Sequence, residues 1–100
     1  MNIKKVMVQV AMAIEKKDAD VYNMVIRASK DKTEHSRITL NEVATLSFVE
    51  AEEVPDYTVK FMGKEVHTDW SLTGAIDTVV RYAQQYADNR EFYNKVRNSI

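Results

Sequence analysis

Apolar residues near the start of the chain, Ile3, Val6, Met7, Val10, Ala11 and Ile14, recur at i, i+3, i+4, i+7, i+8 and i+11. That spacing predicts an amphipathic helix with a wide apolar stripe. Asn2 stands where a cap is needed, and Lys16 and Lys17 stand in the last turn, where the helix dipole favours cations. Val8 and Met12 add a second apolar strip, more than one packed face requires. It reads either as deep burial or as a self-association surface, which makes a homo-oligomer an alternative to a monomer. From Asp20 the period falls to two: Tyr22, Met24, Ile26 and Ala28 alternate with Val21, Asn23, Val25 and Arg27, a strand pattern. Ser29 to Ser36 is polar throughout and reads as a loop.

Arg37 to Asp56 carries the longest alternation in the chain. Ile38, Leu40, Ala44, Leu46 and Phe48 share one parity, while Arg37, Thr39, Asn41, Thr45 and Ser47 hold the other. Glu42 falls in the apolar parity, and a carboxylate does not stay charged and unpaired in a core. The chain must therefore bend, bulge or break at Asn41-Glu42, giving one long bulged strand or two short ones. After Pro55, Tyr57, Val59 and Phe61 share a parity, and Gly63 supplies the positive φ of a tight turn at Met62-Gly63 or Gly63-Lys64. Glu65 to Thr68 is a candidate short returning strand.

Ser71 or Thr73 can cap a second helix, in which Leu72, Ala75, Ile76, Val79, Ala83 and Tyr86 recur at helical spacing. Asp88, three residues before Glu91, resembles a capping box and marks a boundary before a short last helix whose apolar side is Phe92, Val96 and Ile100. The order is α-β-β-β-(β)-α-α. It implies a two-layer α+β fold: an antiparallel three- or four-stranded sheet with helices on one face, in one domain spanning residues 1–100.

Composition changes this picture little. At 45% hydrophobic and 29% charged, with two Gly and one Pro, the chain is ordinary for a folded protein. No apolar run approaches the roughly 20 residues that span a bilayer, so no membrane association is expected. The N-terminal apolar residues are periodic rather than continuous, so no signal peptide is read there. Without cysteine there are no disulfides or thiolate metal sites, which suits a cytoplasmic protein. Charge is more informative: residues 1–37 carry a balance of +3, residues 38–77 of −6 and residues 78–100 of +2. An acidic block thus lies between two mildly basic ends.

Candidate chemistry is sparse. His35 and His67 belong to different elements and lack ligand spacing, so no metal is expected. His67 and Asp69 can point to one side of a strand and hold a proton, though a surface histidine near a helix start is the simpler reading. Gly63 and Gly74 are isolated, so there is no phosphate loop, and no serine lies in a nucleophile elbow. Neither an enzymatic activity nor a cofactor is expected. The element order matches that of double-stranded-RNA-binding domains, which makes a nucleic-acid-binding domain the alternative reading. Against it, the second helix carries Asp77 where positive charge is wanted, and Lys30, Lys32 and Arg37 are mixed with Asp31 and Glu34.

Glu50, Glu52, Glu53 and Asp56 form the densest run of acid. They read either as a solvated loop that discourages edge pairing or as a contact for a basic, phosphate-binding groove of a partner. Tyr57 and Phe61 beside them are candidate aromatic anchors. Trp70, the one tryptophan, is either another anchor or a lid on the core. The segments PDYTVKFMG (55–63) and REFYN (90–94) resemble short pieces of the small anti-CRISPR inhibitors of phage origin, whose element order is α-β-β-β-α-α. The first segment falls on the third strand here and on the first strand there, so no functional residue is carried across. The resemblance implies a small inhibitor as a class. The expectation is a non-enzymatic protein-binding module, an inhibitor of a host macromolecule from a phage or mobile element. Its partner-binding residues would be Glu50, Glu52, Glu53, Asp56, Tyr57 and Phe61.

Overall fold

The computed structural model describes residues 2–31 and 33–98. In chain order they form α1 (Ile3–Lys17), β1 (Met24–Arg27), β2 (His35–Leu40), β3 (Ala44–Val49), β4 (Tyr57–Phe61), β5 (Lys64–Asp69), α2 (Leu72–Asp88) and α3 (Arg90–Asn98). Lys32 of the β1–β2 loop and Ile100, expected on the apolar side of the last helix, lie outside the described residues. The strands form one antiparallel sheet in chain order, β1-β2-β3-β4-β5. The α+β class is as expected. The sheet has five strands rather than three or four, because the stretch from His35 to Val49 is two strands joined by a turn.

That turn resolves the Glu42 problem. Asn41 and Glu42 both take positive φ, 52° and 68°, and the Val43 N–H donates back to the Leu40 carbonyl at 3.2 Å. Leu40 then pairs with Ala44, so the parity of the apolar residues survives the reversal. Ile38, Leu40, Ala44, Leu46 and Phe48 all stay on the core face, and Glu42 sits exposed at the tip. The β4–β5 turn follows the expected Met62-Gly63 chemistry, with φ of 53° and 85°. The two hairpins are tied side by side by Met62 N–H donating to the Val43 carbonyl at 2.9 Å.

The inner face of the sheet meets α1 and α2. Val6, Val10, Phe48, Val59, Val79, Val80 and Ala83 are at most 1% exposed. Burying each larger side chain of this core contributes roughly 1.5–3 kcal/mol. Ser71 caps α2, its hydroxyl accepting from Gly74 N–H at 3.2 Å. The boundary expected at Asp88 is present, with α2 ending there and α3 starting at Arg90. The expected apolar side of α3 is a correction: Phe92 and Val96 are exposed, and Tyr93, Asn94 and Arg97 turn toward α2. The cause is the Tyr86 hydroxyl, which is carried by a buried ring and needs polar partners. It donates to Asn94 Oδ1 and accepts from Arg97 at 3.1 Å. Val8 and Met12 are also exposed, at 50% and 63%, so the second strip of α1 is not deep core.

One buried polar side chain joins the layers. Asn41 is fully buried. Its Oδ1 accepts from Tyr22 N–H at 2.9 Å, and its Nδ2 donates to the carbonyls of Asp20 at 2.9 Å and Ala83 at 3.0 Å. Its own N–H donates to the Asn23 carbonyl at 2.8 Å, and its carbonyl accepts from the Tyr22 hydroxyl at 3.3 Å. The α1–β1 connection, the β2–β3 turn and α2 therefore meet on one amide. Replacing Asn41 by Gly keeps the left-handed turn and removes the amide, and should cost about 3 kcal/mol from the unpaired buried groups. Asn41→Ala should cost about 1 kcal/mol more, because Ala is strained at positive φ. Urea unfolding of the two variants measures both steps, and equal midpoints would show that turn geometry carries no cost of its own.

Candidate binding surfaces

The loop between β3 and β4 divides its acids between two jobs. Glu50 faces the start of α1, where its Oε1 accepts from Ile3 N–H at 3.0 Å. Asn2 Oδ1 takes Lys4 N–H at 2.7 Å, and the Asn2 carbonyl takes Lys5 and Val6 at 3.1 and 3.2 Å. The donors of Ile3, Lys4 and Lys5 at the α1 N-terminus are thus satisfied, one of them by a carboxylate from a distant loop. Glu50 is accordingly part of the helix anchor. Glu52, Glu53 and Asp56 are exposed, as is Val54 at 73%, while Pro55 between them is buried and pins the loop.

The two expected aromatic anchors are elsewhere. Tyr57 is 2% exposed, its ring 5.6 Å from that of Phe48, and burial pushes its phenol above the usual range. Phe61 is half-buried at the far end of β4, 4.8 Å from Tyr82 and edge-on to Tyr93 at 5.3 Å. Both share the parity of Val59, and that parity faces the helices. Neither ring is presented beside the acids.

Trp70 takes that place. It is 71% exposed and is not a lid on the core. The last pair of β4 and β5 is Tyr57 with Asp69, so Asp56 and Trp70 are the next positions on neighbouring strands. Both continue the parity of Thr58 and Thr68, which is that of the open side of the sheet. The junction after Trp70 is tight. Asp69 Oδ1 accepts from Ser71 N–H at 3.1 Å, and a Cβ on Gly74 would lie 3.1 Å from Asp69 Oδ2. With Asp69 folded onto the start of α2, Leu72 packs inward and the indole is left outside.

The open face of the sheet was not foreseen as a surface. Register lines its outward residues into two rows that cross all five strands. One row runs Arg27, Arg37, Ser47, Thr58, Thr68, and the other runs Val25, Thr39, Thr45, Lys60, Glu65. Thr39 and Thr45 hydroxyls meet at 3.0 Å, and a shallow hollow of about 220 Å³ lies around Arg37, Ser47, Thr58 and Lys60. The signal in the sequence was the polar parity of Arg37, Thr39, Thr45 and Ser47. The pairing that assembles the rows depends on the Asn41-Glu42 turn.

Other candidates hold less. His67 and Asp69 do face one side, with Nε2 and Oδ2 3.7 Å apart, but Asp69 is engaged at the α2 start. Among the described residues no group of three or more His, Asp or Glu could hold a metal ion. Asp77 at the start of α2 pairs with Lys17 at 2.8 Å beside a hollow of about 600 Å³ between α1 and α2. No helix is long and apolar enough to cross a membrane among the described residues. No family model matches the chain, and no curated protein or solved structure matches it.

The division of the acids is testable by stability. Glu50→Gln should lower stability by about 1 kcal/mol through the α1 N-terminus. Glu52→Ser, Glu53→Ser and Asp56→Ser should each stay within about 0.5 kcal/mol, as exposed positions do. Thermal melts followed by far-ultraviolet circular dichroism check this. Equal melting temperatures for Glu50→Gln and the parent would mean the carboxylate charge contributes nothing at the α1 N-terminus.

Proposed function

We propose that this protein is a non-enzymatic binding module that docks a basic macromolecular partner through Glu52, Glu53 and Asp56, with Trp70 as the aromatic anchor. The observation that carries the reading is the last pair of β4 and β5, Tyr57 with Asp69, which makes exposed Asp56 and exposed Trp70 the residues that flank it at one end of the sheet. A large ring flanked by carboxylates on a rigid sheet end combines the residue type that dominates contact energies with charges that steer a cationic partner. Inhibition fits this arrangement: carboxylates filling a partner's phosphate-binding groove would exclude its natural ligand. Glu50 and Tyr57 support the surface from behind without contacting the partner, and Phe61, at the other end of β4, takes no part.

Trp70 is the only tryptophan, so its fluorescence reports on this surface directly. Titration with an arginine-rich peptide should shift its emission to shorter wavelength, and a glutamate-rich peptide of equal length should leave it unchanged. The triple variant Glu52→Ser/Glu53→Ser/Asp56→Ser should bind about tenfold more weakly, ~1.4 kcal/mol spread over three exposed charges. Trp70→Ala, followed with a labelled peptide, should weaken binding roughly thirtyfold. Unchanged affinity in the triple variant would remove the acidic end as the contact.

A further inference from the structure

Arg27 and Arg37 are direct cross-strand partners on the open face of the sheet. Their backbones are therefore about 5 Å apart. Like charges directly opposite one another destabilise a sheet. Among the described residues neither arginine is in an ion pair, and both are exposed. A sheet built for stability alone would place a carboxylate or a threonine at one of the two positions. Most of the remaining positions continue the same chemistry, with Ser47, Thr58 and Thr68 in the arginine row and Thr39, Thr45 and Lys60 in the next, where Val25 is the one apolar residue. Glu65, opposite Lys60, is the one acid in either row.

We infer that this face is a binding site for double-stranded RNA, contacting its phosphates and 2′-hydroxyls without reading sequence. Arg27, Arg37 and Lys60 supply phosphate contacts, and the threonine and serine hydroxyls supply neutral donors and acceptors between them. Neither row contains an aromatic residue, and Trp70 stands past the end of β5, so the rows offer no run of rings on which successive single-stranded bases could stack. Five strands about 4.8 Å apart make a face roughly 19 Å wide. That is too wide to enter the ~12 Å major groove of B-form DNA. An A-form duplex instead presents a wide, shallow minor groove edged with 2′-hydroxyls, which a flat hydroxyl-rich face can cover. The counter-charge removes the cost of the arginine pair on binding. The site borders the acidic end, since Asp56 and Trp70 lie two residues beyond Thr58 and Thr68, and it stands whether or not that end has a basic partner.

The test is fluorescence anisotropy of the full chain with a labelled RNA duplex of mixed sequence, at several salt concentrations. Duplex DNA and single-stranded RNA serve as the other arms. The parent should prefer duplex RNA and lose affinity steeply with salt. Arg27→Gln and Arg37→Gln should each flatten the plot of log affinity against log salt by about one unit. Glu65→Gln should bind more tightly, a gain that damage to the fold cannot mimic. Arg37→Thr should raise the melting temperature while weakening binding. Lack of binding at low salt, equal affinity for duplex DNA, preference for single strands, or unchanged slopes in the arginine variants would each overturn the assignment. Salt-sensitive self-association without RNA binding would also overturn it, by giving the face to the acidic loop of a second copy. Glu52→Ser/Glu53→Ser/Asp56→Ser should leave RNA binding undiminished, which keeps failure here distinct from failure at Trp70.

Discussion

The buried amide of Asn41 is the interaction on which the other features of this fold depend. An unpaired amide at zero exposure would be costly, and here every polar atom of the residue has a partner. Those partners come from the segment between α1 and β1 and from α2, so the satisfied amide also fixes how both meet the β2–β3 turn. The left-handed backbone at Asn41 and Glu42 then sets where the chain reverses. The reversal sets the β2–β3 register, and the register decides which residues line the open face. A local conformational preference thus becomes a surface.

Charge along the chain and charge in space are different quantities in this molecule. The middle of the sequence is an acidic block, yet the sheet built largely from it turns a mostly cationic and hydroxylated face outward. Alternation accounts for the change. Apart from Glu65 on the open face and Asp77 within α2, the acids of the block fall in the β3–β4 loop, at the tip of the β2–β3 turn and at the α2 junction, while cations from β1, β2 and β4 share the outward parity. The molecule is close to neutral in sum and divided by region. Fields from the two regions are screened over about 8–10 Å at physiological salt, so each can act locally.

Much of the fold was legible in the sequence because the relevant signals are periodic and local. The stripe of Ile3 to Ile14, the Met62-Gly63 turn and the Asp88 boundary needed only neighbouring residues to be read. The acids Glu52, Glu53 and Asp56 were legible as a surface by charge density. Tyr57 and Phe61 were misplaced although their shared parity with Val59 already tied them to the core side. The inward turn of Asn94 and Arg97 was not legible, since it answers a hydroxyl on another helix. Nor was the Arg27–Arg37 pair, which exists only once the register is known.

Strand β1 shows where such a molecule gives way. All four of its residues are exposed, and it pairs only with β2. Little burial holds it, so its attachment rests on its ladder to β2 and on the grip of Asn41 just before it. Opening that edge should be a sub-global event of low free energy, with the backbone amides of β1 exchanging ahead of the inner strands. The opened form would uncover the unpaired edge of β2 with its apolar Ile38 and Leu40, a template for strand addition by another chain. Asn41 therefore also limits strand addition: the amide that organises the fold keeps the edge of β2 covered.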